Sequence, residues 1–326
     1  VALQEVGGAP GRFGVSQAEF HLLQDERAQL WPHTMTTLTT HDTKRSEDTR
    51  ARMLEIAEMP GEFAQLVHDV FALTPPPDNA TGLFLLQNIL GAWPRDGRVT
   101  DDFVQRLQAY AVKALREADV LSSWYDSDLD YEAQFTEWVA HITHGPATRM
   151  LAEFALALDE GGVAVSLGRK LLQLVGPGIP DTYQGTEFLD FSLVDPDNRR
   201  FVDYAALEAG AGTAEDAAKQ RVVREALTLR REKPELFLDG GYAAVFAEGP
   251  ARRHAVGMAR TKNGEPHVVA LATREPLALE RDGGWRDTTV TLPAGEWTDR
   301  LTGRTFSGRV RAEQLYAELP SVLLTR

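Results

Sequence analysis

Two short stretches rich in β-branched residues, 34–40 (TMTTLTT) and 179–183 (IPDTY), frame a span from residue 62 to 157 in which every credible element is helical. β-Branched side chains suit a pleated surface, so residues 34–40 are expected to form a short buried strand and 179–183 a very short one. Ser16, with Glu19 three residues later as a capping-box partner, predicts a helix to about Leu30, with Phe20, Leu23, Arg27 and Leu30 at helical spacing and Trp31-Pro32 ending it. Ser46 is expected to open a second helix, whose Met53, Leu54 and Ile56 need a core and which Pro60-Gly61 is expected to close. Within the helical span, Phe103, Leu107, Tyr110, Ala111 and Ala114 recur at helical spacing behind the N-cap candidate Thr100, and TPPPDN and YDSDLD interrupt it. An amphipathic helix is expected over 163–175 and another over 215–231. Strand and helix alternating around a helical insertion is the tail of a parallel α/β unit, most often an α/β barrel.

Beyond Pro234 the pattern changes. YAAVF, HAVGMAR, HVVALAT, TTVTL and SVLLT are short β-rich runs separated by Gly, Pro and Asn, which predicts a small all-β domain. The expected division is therefore 1–46, an α/β segment ending in a strand; 47–160, the helical insertion; 161–235, the last strand and helix of the α/β part; and 236–326, the β-domain.

At 326 residues and 43% hydrophobic composition the chain can bury a large core. Its net charge of −14 is spread along the sequence and its basic residues form no stripe, so nucleic acid is an unfavourable partner. Cysteine is absent, which excludes disulfides and thiolate metal sites. No apolar run approaches the ~20 residues needed to span a bilayer, and residues 1–13 lack a charged segment followed by an apolar one. These features predict a cytoplasmic protein without a membrane partner. The start at Val1, without Met, reads as a cleavage point or a boundary.

In an α/β barrel the site is built by loops at the C-terminal ends of strands. Two polar clusters occupy such places: His41, Asp42, Thr43, Lys44 and Arg45, and then Asp181 to Glu187 running on to Asp195, Asp197, Asn198, Arg199 and Arg200. A carboxylate beside a sugar ring can accept hydrogen bonds from two hydroxyls or stabilise an oxocarbenium-like charge, as glycosyl transfer demands. The alternative is structural, with Asp42 capping the next helix and His41 a satisfied buried ring. Phosphate chemistry lacks GxxxxGK[ST] and GxGxxG, and serine hydrolysis lacks GxSxG. Metal chemistry is equally thin, because His141 and His144 in HITH have no carboxylate at a ligand spacing and read as a helix-end pair. Sugars stack on rings, and Trp31, Trp93, Trp124, Tyr125, Tyr183 and Phe188 all adjoin loops, although core packing is the commoner use of Trp93 and Trp124.

TTHDTKRSEDTRAR, KALREADVLSSWYD, GPGIPDTYQGTEF and LVDPDNRRFVDY together closely resemble the C-terminal half of the maltooligosyltrehalose synthase family, within the α-amylase superfamily (glycoside hydrolase family 13), over essentially the whole chain. The resemblance implies the C-terminal portion of a (β/α)8 TIM barrel with a long helical insertion and a C-terminal all-β domain. It implies intramolecular transglucosylation, converting the reducing-end α-1,4 bond of a maltooligosaccharide to an α,α-1,1 bond, with no cofactor and no metal. Asp42 would be the third catalytic carboxylate, at the end of the seventh barrel strand, binding the 2- and 3-hydroxyls of the sugar and favouring its distortion. His41 would hold the same sugar, and Lys44 and Arg45 would reach the acceptor glucose. Tyr183, Gln184 and Glu187 follow the eighth strand, and Asp197 and Arg199 lie in the next loop, all as substrate contacts. Trp124 is expected in a lid over the reducing-end sugar.

One departure from the pattern matters. Retaining transfer needs a nucleophile and an acid/base carboxylate ~5–5.5 Å apart, and the GxRxD and Glu-bearing motifs that carry them in the superfamily are not in this chain. The N-terminal half of the same enzyme is therefore expected as an associated polypeptide. An amylase-type α-glucan hydrolase and a non-catalytic α-glucan-binding fragment are the alternatives; DTKR and the long insertion argue against the first, and the exposed edges and apolar faces of a half-barrel against the second.

Overall fold

In the computed structural model the Ser16 hydroxyl accepts a hydrogen bond from the Glu19 backbone and starts α1 (Gln17–Leu30), as the capping signal predicts. The structure describes residues 3, 5, 8–194, 200–210 and 212–326. After α1 come β1 (Met35–Thr36), α2 (Glu47–Glu55), α3 (Pro60–Leu73), α4 (Asn79–Ala92), α5 (Asp101–Ala118), α6 (Leu129–His144) and α7 (Thr148–Val175). Next are β2 (Ile179–Pro180), α8 (Tyr204–Ala209), α9 (Ala214–Glu232) and α10 (Pro234–Leu238). The rest runs β3 (Gly241–Val245), β4 (Ala247–Glu248), β5 (Ala255–Lys262), β6 (Glu265–Thr273), α11 (Pro276–Arg281), β7 (Thr289–Asp299), β8 (Thr305–Arg311), α12 (Ala312–Leu315) and β9 (Ser321–Thr325).

Three local expectations change. Pro60 does not close α2; it is the first residue of α3, where a fixed φ and a missing N–H cost nothing. Residues 163–175 are no separate helix, because α7 runs unbroken for 28 residues. Gly162 within it marks a close approach, since a Cβ there would lie 3.0 Å from Arg52 Cα. The strand expected over 34–40 narrows to Met35–Thr36, and Met35 is 76% exposed instead of buried. Among the described residues β1 pairs with β2 alone, and a parallel strand without a second neighbour has little surface to bury against. β4 and β8 were not expected; the first has two residues and the second, TFSGRVR, is too polar to show a clear alternation.

The chain divides into two compact units. The first takes residues 1–9, 39–162 and 190–202. It is helical: α3 to α6 and the start of α7 enclose Leu86, Leu90, Trp93, Phe103, Phe135, Trp138 and Leu151, with Thr100 capping α5 as expected. Trp93 is thereby a core residue.

The second unit takes residues 10–38, 163–189 and 203–326. Its antiparallel sheet has the order β3-β5-β6-β9-β7-β4, with β8 paired to β7. Successive strand residues point to opposite faces, so Val268, Ala270 and Leu323 pack with Leu171, Val222 and Leu229 of α7 and α9, while Val269, Leu271, Val322 and Leu324 pack with Val290 and Trp297. Residues 268–272 of HVVALAT are continuously apolar because both faces of the strand are covered.

The same unit holds the short parallel pair. Met35 is opposite Ile179 and Thr36 opposite Pro180, with Ile179 N–H donating to Thr34 O at 2.8 Å and Asp181 N–H to Thr36 O at 2.7 Å. The Gln173 side-chain amide donates to both Thr36 O (3.0 Å) and Asp181 O (2.8 Å), bridging the two strand ends from α7. Gly178 has φ 109° and sits where a Cβ would meet Thr34 O at 2.8 Å, so glycine is required there.

Candidate active site

The segment after β1 is a compact polar turn. The Thr39 hydroxyl donates to Arg45 O at 2.8 Å, the Thr43 hydroxyl donates to Thr40 O at 2.8 Å, and His41–Thr43 close one 3-10 turn. Lys44 then takes φ 63°, a left-handed conformation unusual for a long side chain. Residues 190–194 fasten this turn from the other side: Val194 N–H donates to Lys44 O at 3.0 Å, Ser46 N–H to Ser192 O at 3.1 Å, and Asp190 N–H to the Asp48 carboxylate at 2.7 Å. The cap of α2 is Ser46, which accepts from Thr49 N–H. Asp42 is therefore not that cap, which removes the structural alternative for it. Its carboxylate is 66% exposed, 4.0 Å from His41 Nδ1.

The neighbouring cations have different fates. Lys44 Nζ lies 3.4 Å from Glu117 Oε2 on α5, and the same carboxylate pairs with Lys113 one turn earlier. Partial burial pushes the Glu117 carboxyl up, but the Lys113 and Lys44 ammonium groups outweigh it and hold the group below the usual carboxylate range. Arg45, only 5% exposed, donates from Nε to Asn88 Oδ1 (2.6 Å) and from Nη1 to Thr43 O (2.9 Å), and it pairs with Glu5 at 3.4 Å. The structure thus places Arg45 among internal partners.

Trp124 stands on the loop between α5 and α6, 57% exposed. The Arg116 guanidinium lies 5.3 Å from its ring centroid, and Arg116 is held in turn by a bidentate pair with Glu132 at 2.8 and 2.7 Å. Ser122 also donates to Glu132. The Arg116 bonds draw the Glu132 carboxyl below its ordinary range against the opposing effect of burial, with Ser122 assisting. Sequence spacing shows the Lys113–Glu117 pair at i, i+4; Arg116–Glu132 spans a loop and leaves no such trace.

In the second unit the loop after β2 is equally ordered. Gly185, at φ 83°, lets the chain turn so that Thr186 donates from both its backbone (3.1 Å) and its hydroxyl (2.6 Å) to Tyr183 O. α9 anchors the far end: Lys219 Nζ donates to Phe188 O at 3.1 Å, and Asp216 Oδ1 accepts from Leu189 N–H at 2.9 Å. Gln184 is exposed, Tyr183 and Glu187 are half-buried, and Glu187 Oε2 is buried without a hydrogen-bond partner.

Of the expected site residues, His41, Asp42, Lys44, Arg45 and Trp124 fall in the first unit, and Tyr183, Gln184 and Glu187 in the second. Asp197 and Arg199 lie outside the described residues, as do Asp195 and Asn198. Arg200 is described and pairs with Asp102 at 2.8 Å. His141 and His144 are both exposed near the end of α6, and no group of three or more His, Asp or Glu among the described residues is placed to hold a metal ion.

Each strand of the parallel pair leads at its C-terminal end into an ordered, carboxylate-bearing loop, the position at which α/β enzymes place functional residues. Comparison makes the class specific. The chain resembles the maltooligosyltrehalose synthases over its whole length. A Mycobacterium tuberculosis protein (strain H37Rv) provisionally named maltooligosyl trehalose synthase is 46% identical over 326 residues, which is 100% of this chain and 42% of that protein. The structure of maltooligosyltrehalose synthase from Arthrobacter ramosus matches with a TM-score of 0.90 at 42% identity, over 99% of this chain and 42% of that one. A hypothetical maltooligosyl trehalose synthase of Sulfolobus tokodaii matches with a TM-score of 0.78 at 27% identity, over 100% and 43% of the two chains. No family model matches. The chain spans less than half the length of these relatives.

Proposed function

We propose that this chain is one part of a trehalose-forming intramolecular transglucosylase, supplying the last two strands of a (β/α)8 barrel, a helical insertion and a C-terminal β-domain. The division at residues 46, 160 and 235 belongs to this proposal. The observation that carries it is the 46% identity over all 326 residues to a relative of which the chain covers 42%. The substrate is a maltooligosaccharide. A carboxylate nucleophile attacks C1 of the penultimate glucose while the acid/base protonates the departing O4; the freed glucose turns, its 1-hydroxyl gives its proton to the same acid/base and attacks that C1, and displacement of the carboxylate leaves the α,α-1,1 bond.

Asp42 serves as the carboxylate that holds two hydroxyls of the reacting sugar and stabilises positive charge at C1, a role suited to an exposed group with no capping duty. His41 steadies the same sugar. Lys44 and Trp124 meet the acceptor glucose, and Tyr183, Gln184 and Glu187 are further substrate contacts in this reading. Asp197 and Arg199 join them in this reading, and Arg45 contributes by fixing the turn. The nucleophile and the acid/base come from sequence outside these 326 residues.

That the chain works with a further polypeptide segment is supported by its uncovered apolar residues. Leu22, Leu23, Leu30, Trp31 and Met35 are all exposed on α1 and around β1, and among the described residues the β1–β2 pair has no third strand, where a barrel would continue the sheet. The cysteine-free composition suits a reducing compartment, so the enzyme is assigned to the cytoplasm; no described helix is long and apolar enough to cross a membrane.

The test is product analysis on a maltooligosaccharide with the complete enzyme. Trehalose-ended product supports the reading. Linear maltooligosaccharides and glucose alone would indicate an amylase-type hydrolase, and binding without turnover a glucan-binding fragment.

A further inference from the structure

Arg116 and Glu117 are adjacent residues in the last turn of α5, and each holds a different group of the proposed acceptor site. Glu117 fixes Lys44 by the 3.4 Å ion pair, and Lys113 anchors Glu117 from the same helix. Lys44 needs such a tether, because its side chain leaves a left-handed backbone position at the end of a one-turn helix and has four rotatable carbons. Arg116 backs the Trp124 ring and is locked by Glu132, whose side chain is nearly buried. One ring face is thereby occupied by a guanidinium, and the ring still keeps more than half of its surface exposed.

We propose that Arg116 and Glu117 are positioning residues that set the acceptor site's two contacts, a flat ring for the sugar's C–H face and an ammonium for its hydroxyls, and so decide whether the freed glucose is held for reattack or lost to water. This rests on the functional reading above. The physical case is one of orientation. The glucose must turn in place before its 1-hydroxyl reaches C1, and each contact that confines it shortens that search relative to diffusion away. Two contacts anchored to consecutive residues of one helix keep a fixed spacing, which two independently mobile loop side chains would not.

The test uses the complete enzyme and reads the ratio of free glucose to trehalose-ended product alongside the rate of substrate loss. Glu117→Gln removes the charge that holds Lys44 and should raise the ratio several-fold while substrate loss falls far less. Glu117→Asp keeps the charge but withdraws it by one methylene and should give an intermediate ratio. If Glu117 acts through Lys44, the double variant Lys44→Ala with Glu117→Gln should match Lys44→Ala alone. Arg116→Lys, which keeps charge but loses the bidentate hold on Glu132 that fixes the cation beside the Trp124 ring, should raise the ratio independently. An unchanged ratio in Glu117→Gln, or full additivity in the double variant, overturns the proposal while leaving the functional reading intact. A wild-type enzyme that makes no trehalose-ended product overturns both.

Discussion

At the scale of single residues, Asp42 and Arg45 sit three positions apart and do opposite things. Asp42 is exposed and makes no cap, so its conversion to Asn should leave the thermal midpoint almost unchanged. Loss of charge stabilisation at the reacting carbon typically costs 10²-fold or more in rate, and turnover of a maltooligosaccharide by the complete enzyme should fall accordingly. Near-normal turnover would remove Asp42 from the chemistry. Arg45 carries the same kind of sequence signal, a polar residue just past a strand, but its hydrogen bonds to Asn88 and Thr43 are made inside the protein. A linear motif records which residues follow a strand and says nothing of which way each side chain leaves the turn. The pKa of Glu132 provides a second residue-level test. Its folded value lies below the ordinary 4.5, so the pair with Arg116 stabilises the fold above that pH and loses this contribution as pH falls through the folded value. Melting temperatures of wild type and Glu132→Gln should therefore differ at neutral pH and converge on acidification below pH 4.5. A constant difference from pH 7 to pH 3 would show that folding does not shift the Glu132 carboxyl and that its ion pair adds nothing to stability.

Elements were legible wherever caps and periodicity agreed. Ser16, Ser46 and Thr100 each begin the helix they announce, and the buried face of α5 is the one its spacing marks. The helix expected over 163–175 starts earlier: glycine has low helix propensity, yet α7 continues through Gly161 and Gly162. Gly162 is there because the α2 backbone passes so close. Gly162→Ala should accordingly destabilise the protein by about 1–3 kcal/mol through overpacking, in spite of the ~1 kcal/mol that alanine gains in an unobstructed helix. Chemical denaturation measures this, and an increase in stability would mean that α2 yields to the added methyl group. The β-domain shows the complementary limit. HVVALAT and SVLLT were plain because two-sided burial makes their central residues, 268–272 and 322–324, continuously apolar, whereas β8 carries arginines, a serine and a glycine and could be recognised only from its pairing with β7.

On the scale of the whole molecule, the exposed apolar residues of α1 and β1 predict how the protein behaves in solution. Alone, the 326-residue chain should show no rearrangement activity and should bind hydrophobic dyes; with the polypeptide that bears the remaining barrel strands it should elute as one species, and dye binding should drop. A chain that rearranges maltooligosaccharides unaided would refute the shared-site reading together with the role given to Asp42. The candidate site was half legible for a related reason: the two loops were found from their positions after strands, but the helix that tethers Lys44 lies some seventy residues further on, and no local pattern links it to the turn.

The Gln173 amide has a consequence for tolerance to change. It donates to a carbonyl at the end of each short strand, so the alignment of β1 against β2 is dictated from a neighbouring helix and only weakly by the strands' own side chains. A slip of either strand by one residue would break that strand's bond to Gln173 and turn its side chains to the opposite face. Variation at Met35 or Thr36 should therefore be permissive in a mutational scan, and variation at Gln173 restrictive. The information that aligns the two strands is stored in a residue that belongs to neither.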